Sequence, residues 1–312
     1  MRKIAAIINT GAGSFPDEAL VSRVQEAFAR QGVDAQVIAV KGNSLHPTAR
    51  SLRDEGFEVI VAGGGDGTVS TVAAELVGAE ASLGIIPLGT LNHFAHDLGV
   101  PLDLDSAIEL ICSGAPSRVD VGCVNGHTFI NNSSLGLYPD QVRLRQRWRK
   151  RIGKWLALVL ASLAVLVRFS SLRITAKLNG SQISRRCPLV LISNNEYRFE
   201  PGNLTRRVRL DEGLLGVSLL NDVSRVGLLR IALHSLVYLL EDEASFESHK
   251  AAEAIIIMRK RRVRVALDGE VYKLIPPLVY RSIPGGLKVI APKKEVLSAE
   301  NSRQQTMGGL QQ

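Results

Sequence analysis

Three short stretches have the residue types and spacing for phosphate chemistry. Val59–Ala62 is an apolar, β-branched run that stops at Gly63-Gly64-Gly65, and Asp66-Gly67-Thr68 then opens a helix-compatible segment, Val69–Leu76. Glycines let backbone N–H groups approach a phosphate closely, and a helix N-terminus adds partial positive charge. Thr68 suits a helix cap or a contact to phosphate or Mg²⁺. Asp66 is out of character there, because a carboxylate repels phosphates unless a metal or a protonated group sits between. The second stretch, Leu83–Ala95, repeats the design: an apolar strand, the turn Pro87-Leu88-Gly89, the hydroxyl of Thr90, then Asn92 and a helix start. The third is Lys3–Ile8 followed by Asn9-Thr10-Gly11-Ala12-Gly13-Ser14. None has the Lys-Ser/Thr of a P-loop or the spacing G-x-G-x-x-G, and one glycine turn alone is as often structural as functional. Repetition is what gives the signal weight.

A pair of acids follows much later, in Leu267-Asp268-Gly269-Glu270. Val263, Val265 and Leu267 alternate cleanly, so both acids stand at a strand end in a glycine turn. Such a pair could take a proton from an attacking hydroxyl. An Asp-Gly step is equally a common hairpin turn.

The elements that must carry these residues fall into two textures. After the first strand comes the helical pattern Asp17–Arg30, closed by Gly32, then strand Ala35–Val40 and a helix from Pro47 to Glu55. Alternation of strand and helix predicts a doubly wound parallel sheet, whose ligands bind outside the carboxyl ends of its strands. The loops 9–14, 63–68 and 87–92 all fall at those ends. Asp105–Ile111 is the last helix of this domain, 1–116.

Shorter alternating runs then predict an antiparallel β-sandwich over 117–291: Arg118–Val124, Thr128–Asn131, Leu172–Leu178, Leu189–Ser193, Leu214–Leu220, Ala254–Met258, Arg262–Leu267 and Leu287–Ala291. Asn131–Gly136 reads as a polar loop. Val226–Leu240 reads as an amphipathic core helix, and 292–312 as a fraying polar tail. Trp155–Val167 is too short to span a bilayer. It suits packing on the sandwich or lying on a membrane, and the basic run Arg143–Arg151 with Trp148 suits a solvated face or a membrane landing patch.

Composition sets outer bounds. Hydrophobic content of 46% with 22% charged residues is that of a foldable globular chain. Net charge of +8 favours phosphorylated ligands, polyanions or anionic membrane. No nucleic-acid module surrounds the basic runs, so nucleic acid is not expected. Three scattered cysteines make neither a disulfide framework nor a metal spacing. With Met1-Arg2-Lys3 running directly into a strand, the expected location is the cytoplasm, with peripheral contact at the inner membrane surface. Oligomeric state is open.

Gly64-Gly65-Asp66-Gly67-Thr68 followed by Pro87-Leu88-Gly89-Thr90-x-Asn92-x-Phe94-Ala95 resembles the diacylglycerol kinase catalytic domain. That family includes bacterial lipid kinases and sphingosine kinases and is distantly related to NAD kinases and phosphofructokinases. The resemblance runs, more loosely, to about Ala291. It implies an NAD kinase- or phosphofructokinase-like first domain and transfer of the γ-phosphate of ATP to a lipid hydroxyl with Mg²⁺. Nucleotide contacts carry over onto Asn9, Thr10, Gly11, Gly13, Gly63, Gly64, Gly65, Asp66, Gly67, Thr68, Gly89, Thr90 and Asn92.

The resemblance also implies that the Asp268-Gly269-Glu270 turn lies at an interdomain cleft and supplies the base. Glu270 is favoured, with Asp268 orienting it or bridging to metal. Asp66 would hold Mg²⁺ or act as the alternative base. A structural metal loop maps onto Asp211, Glu212 and Leu214. The chain departs from the family pattern at Thr10 (for proline), Ala12 (for serine), Glu212 (for an aspartate) and His93 (for an aspartate). An NAD kinase-like enzyme and a non-catalytic nucleotide- or lipid-binding protein are the alternatives; the Pro87–Asn92 motif favours the lipid branch. The acceptor lipid stays open among diacylglycerol, sphingoid base and phosphatidylglycerol, because such pockets are defined by shape.

Overall fold

Apolar strands alternating with amphipathic helices build the first of two units. The computed structural model describes residues 2–10, 17–136, 171–198, 206–207, 209–220 and 246–292. Gly11, Gly13, the basic run 143–151, the apolar stretch 155–167, the helix expected over 226–240 and the tail from 293 lie outside the described residues. The units comprise Met1–Val119 with Gly286–Gln312, and Asp120–Gly285.

The first unit runs β1 (Ile4–Asn9), α1 (Asp17–Arg30), β2 (Gln36–Val40), α2 (Leu45–Asp54), β3 (Val59–Gly64), α3 (Asp66–Leu76), β4 (Ser82–Pro87), α4 (His93–Leu98) and α5 (Leu104–Ser113). β1 lies between β2 and β3, and β3 pairs onward with β4, all parallel. Every residue of β3 and β4 is buried, as expected of parallel strands covered on both faces. One core sets Ile4, Ala6, Ile8, Val59 and Val61 against Val24, Ala27 and Phe28 of α1 and Ile108 and Ile111 of α5. α2 and α3 pack on β1, β3 and β4 and on each other, burying Leu45, Ala49 and Leu52 from one helix and Val69, Val72, Ala73 and Leu76 from the other.

A polar seam joins those two helices. Glu75 accepts from Arg50 Nε and His46 Nδ1, each at 3.0 Å. Burial alone would raise its pKa, but the bonds from Arg50 and His46 outweigh it and hold the carboxyl below its usual range. α5 begins on Asp103, whose Oδ1 accepts from Ser106 N–H at 2.8 Å, a standard N-cap.

The second unit is antiparallel and takes in β5 (Pro116–Val124) from Asp120, β6 (His127–Phe129), β7 (Asn132–Gly136), β8 (Leu172–Leu178), β9 (Ser181–Cys187), β10 (Leu189–Asn194), β11 (Tyr197–Arg198), β12 (Arg206–Arg207), β13 (Leu215–Leu220), β14 (Phe246–Ala251), β15 (Glu253–Ile257), β16 (Val263–Leu267), β17 (Glu270–Leu274) and β18 (Leu278–Ile290) as far as Gly285. One sheet has the order β14-β13-β10-β7-β16-β17. Its partner layer runs β9-β8-β15-β18, with β5 joining β18 and β6. Leu135, Val190, Ile192, Val217 and Val265 from the first meet Ile174, Ala176, Ile256, Leu278 and Tyr280 from the other in one core. This is the expected sandwich.

Two expectations need correction. Asn131–Gly136 is not a polar loop. Its greater part is β7, inside the six-stranded sheet, with Ser133 and Ser134 essentially inaccessible. A serine suits a buried strand when its hydroxyl is satisfied, and Ser133 Oγ pairs with Tyr280 Oη at 2.9 Å. The sandwich also does not run to 291. From Gly286 the chain belongs to the first unit, and Val289 pairs in parallel with Leu83 of β4.

Candidate functional site

The site in the first unit follows from strand register. Ile8 pairs with Gly63, Gly63 with Ile86, and Gly64 with Pro87, so the carboxyl ends of β1, β3 and β4 are level. The loops that leave them meet. Asn9 Nδ2 donates to Thr68 Oγ1 at 2.8 Å, and Leu88 N–H donates to Gly64 O at 3.0 Å. Gly65 precedes α3, and its carbonyl accepts the first helical amides, from Thr68 (2.8 Å) and Val69 (3.1 Å).

Packing explains most of the glycines. A Cβ on Gly63 would meet Ile8, and one on Gly64 would strike the Thr68 side chain. Gly65 and Gly89 face each other backbone to backbone: a Cβ on Gly89 would stand 2.5 Å from Gly65 Cα. Gly67 differs. Among the described residues outside its own helix backbone, nothing lies within 4 Å of the position its Cβ would take, at this exposed place in the first turn of α3.

The polar residues divide in the same way. Thr68 is buried, with its hydroxyl turned to Asn9, so it neither caps α3 nor faces outward. Thr10 spends its N–H (3.0 Å) and hydroxyl (3.2 Å) on Val40 O. Asn92 is buried in a left-handed conformation (φ 49°) and clamps its own loop, Oδ1 accepting from Gly89 N–H at 2.9 Å and Nδ2 donating to Gly89 O at 3.0 Å. Asn9, Thr10, Thr68 and Asn92 thus shape the loops. Gly67 and Thr90 are exposed at the surface, and Asp66 is partly so. Asp66 Oδ1 accepts a long bond from Phe94 N–H, 3.4 Å.

In the second unit, Asp268 and Gly269 form the two-residue turn between β16 and β17, with Leu267 opposite Glu270 and φ of 45° and 86°. Both residues left-handed is the type I′ hairpin for which Asp-Gly is suited. The Asp268 carboxylate is bound to backbone: Oδ2 accepts from Ile130 N–H (2.8 Å) and Oδ1 from Asn131 (2.9 Å) and Asn132 (3.0 Å). Burial pushes its pKa up to about 6, against the pull of these three amides and of Arg207. Oδ2, with a single partner among these bonds, keeps a lone pair. Glu270 is exposed and receives Tyr272 Oη at 3.0 Å. Asp268 thus binds the 130–132 backbone, and the side chain that orients Glu270 is Tyr272.

The metal loop implied by resemblance, 209–214, makes these bonds. Asp211 is paired with Arg209 at 3.1 Å, the Leu214 carbonyl accepts from Asn195 N–H at 3.0 Å, and Glu212 N–H donates to Asn195 Oδ1 at 3.3 Å. No cluster of three or more His, Cys, Asp or Glu side chains able to hold a metal occurs among the described residues.

Sequence reasoning missed two buried charges in this unit. Asp120, 2% exposed, accepts from Gly213 N–H (2.6 Å) and Gly285 N–H (2.9 Å). An acid inside the apolar run Val119–Val121 was the available signal. Arg207, 1% exposed, lies against Ile130, Asn131 and Asn194. Nothing in the sequence separates it from Arg206 and Arg209.

Comparison with known proteins bears on both units. Residues 3–124 match the family model described as diacylglycerol kinase catalytic domain. The chain is similar to the diacylglycerol kinase of Bacillus subtilis (strain 168), 25% identical over 309 residues, covering 95% of this chain and 98% of that protein. It is also similar to a protein of Pseudomonas savastanoi pv. phaseolicola named as a probable lipid kinase YegS-like, 34% identical over 213 residues, covering 65% and 68% of the two chains. The fold matches the crystal structure of a diacylglycerol kinase from Bacillus anthracis str. Sterne with a TM-score of 0.68 at 20% identity, over 93% of this chain and 97% of that one.

Proposed function

This chain belongs to the diacylglycerol kinase catalytic-domain family, and from that we propose that it transfers the γ-phosphate of ATP to the hydroxyl of a lipid, with Mg²⁺. The observation that carries the reading is Gly67. It is a glycine that no contact among the described residues requires, in the first turn of an 11-residue helix, between loops brought level by strand register. A phosphate approaching the leading amides of α3 supplies the missing reason.

Asp66 beside that helix start fits Mg²⁺, which is ordinarily held by one or two carboxylates together with substrate phosphates. Bound there, the ion would neutralise phosphate charge. Within residues 209–214 Asp211 pairs with Arg209 and the Leu214 carbonyl accepts from Asn195, and we assign no ion to them.

The chain's own residues account for the rest. Backbone amides at the head of α3 hold the phosphates, and exposed Thr90 offers a hydroxyl to them. The proton of the acceptor hydroxyl passes to a carboxylate of the 268–270 turn as the acceptor oxygen bonds to the γ-phosphorus. The bond from that phosphorus to the β–γ bridging oxygen breaks, and ADP leaves. Asp268 gives both carboxylate oxygens to the backbone N–H groups of residues 130–132, and Glu270, exposed beside it, is the acid we assign to take the proton.

The test is to incubate the full chain with labelled ATP, Mg²⁺ and total membrane lipid and to identify the product by mass spectrometry. A phosphorylated lipid that Asp66→Asn and Glu270→Gln fail to form is the expected result. NADP formation from NAD with no lipid product would overturn it.

A further inference from the structure

Glu270 sits on a fixed backbone but carries a loose side chain. Pairing of β17 on β16 sets its place, with Leu267 opposite, yet a glutamate turns about several bonds and this one is exposed. Tyr272 restrains it. Two residues further along the strand, the tyrosine stands on the same face, and its Oη donates to Glu270 Oε2 at 3.0 Å. Tyr272 is itself anchored. It lies opposite Val265, a buried residue of the sandwich core, and packs against that core. Its ring is also 4.9 Å, centre to centre, from that of His127 on β6, tilted by 47°. Burial, reinforced by the charge of Glu270, pushes the tyrosine pKa up to about 12, so the hydroxyl keeps the proton it donates. Among the described residues Glu270 Oε1 has no hydrogen-bond partner, which leaves it open to an incoming hydroxyl.

We propose that Tyr272 is a positioning residue for phosphoryl transfer, its hydroxyl holding Glu270 Oε2 so that Oε1 is free to take the proton of the acceptor hydroxyl. The proposal rests on Glu270 being the base, as assigned above. A base contributes only when it stands within hydrogen-bond reach of the proton it removes. A side chain already held by a packed neighbour meets that condition before the substrate arrives. The two parts of the tyrosine have separable duties. Its ring packs on the core and against His127, and its hydroxyl alone reaches the carboxylate. Phenylalanine would keep the first and lose the second.

The test compares Tyr272→Phe, Tyr272→Ala, Glu270→Asp, Glu270→Gln and the double variant Tyr272→Phe with Glu270→Asp in the lipid phosphorylation assay. Thermal melting and ATP binding serve as folding controls. Tyr272→Phe is expected to melt as the wild type does and to lower kcat about fivefold or more, with KM for ATP and lipid nearly unchanged, because the lost bond serves the reacting step. Tyr272→Ala, which strips the ring as well, should lose at least as much kcat and also melt lower. Glu270→Asp, one methylene shorter, draws the carboxylate back from the Tyr272 hydroxyl. In that background Tyr272→Phe should cost little further, since the hydroxyl acts only through the longer side chain. Wild-type kcat in Tyr272→Phe beside an impaired Glu270→Gln would overturn the positioning role alone and leave the tyrosine a packing residue. Equal fold-losses from Tyr272→Phe in the wild type and in Glu270→Asp would do the same. Full activity in Glu270→Gln would overturn the base assignment, and the positioning role with it.

Discussion

Asn9 at the end of β1 donates its side-chain amide to the hydroxyl of Thr68 in the first turn of α3, 2.8 Å away and 59 residues along the chain. This bond joins the first loop to the helix that follows β3. Thr68→Val keeps the shape and removes the acceptor. It is expected to weaken ATP binding several-fold and to lower stability by about 1 kcal/mol. A double-mutant cycle with Asn9→Ala, read by ATP titration, should give a coupling of about 0.5–1.5 kcal/mol. Strict additivity would show that the bond does nothing for the nucleotide.

Gly67 and Gly89 should respond oppositely to alanine. Gly89→Ala drives a Cβ into Gly65 Cα, so the folded state itself should lose stability by about 1–3 kcal/mol. Gly67→Ala meets no atom of the described residues outside its own helix and should leave the melting temperature unchanged or raise it, since glycine costs a helix about 0.5–1 kcal/mol relative to alanine. If a phosphate approaches there, Gly67→Ala should nevertheless lose ATP affinity. Melting curves and ATP titrations on both variants decide it, and unimpaired binding by Gly67→Ala would count against the phosphate.

Asp268 should leave a mark in pH dependence. Its folded pKa of about 6 lies above the unfolded value, which is about 3.9. Its contribution to stability is therefore complete below about pH 4 and is lost as pH rises through about 6. Chemical denaturation at several pH values should show that slope in the wild type and lack it in Asp268→Asn.

Glu75 offers the opposite sign in a place remote from chemistry. Arg50 and His46 hold its carboxyl low, so its contribution is present above the unfolded pKa, about 4.3, and is lost as pH falls through the folded value. Glu75→Gln should cost about 1 kcal/mol at neutral pH, with the deficit shrinking on acidification and kcat unaltered. Chemical denaturation at several pH values checks this.

Much of the first unit could be read from its residues, because its signals are local. Asp17–Arg30 carries helical periodicity between a strand and Gly32, and α1 has those bounds. β3 and β4 are apolar runs ended by glycine or proline. The sandwich was legible where strands alternate, as at Val263–Leu267. It was illegible where the pattern is polar, as in Ser181–Cys187, an exposed strand, and in β7, whose serines are buried by partners far along the chain. The motif glycines showed where the loops were, but not that Gly65 and Gly89 need each other. Arg207 was invisible for the same reason: its acceptors lie 13 to 77 positions away.

Asp120 and Gly285 are the residues at which the chain enters and leaves the second unit, and the carboxylate of the first accepts the N–H of the second. The two crossings are thus laced by one acid, which also takes the amide of Gly213. A protease nick in either crossing would leave the severed end still tethered through its neighbour. Loss of that acid would instead untie three backbone segments in one stroke.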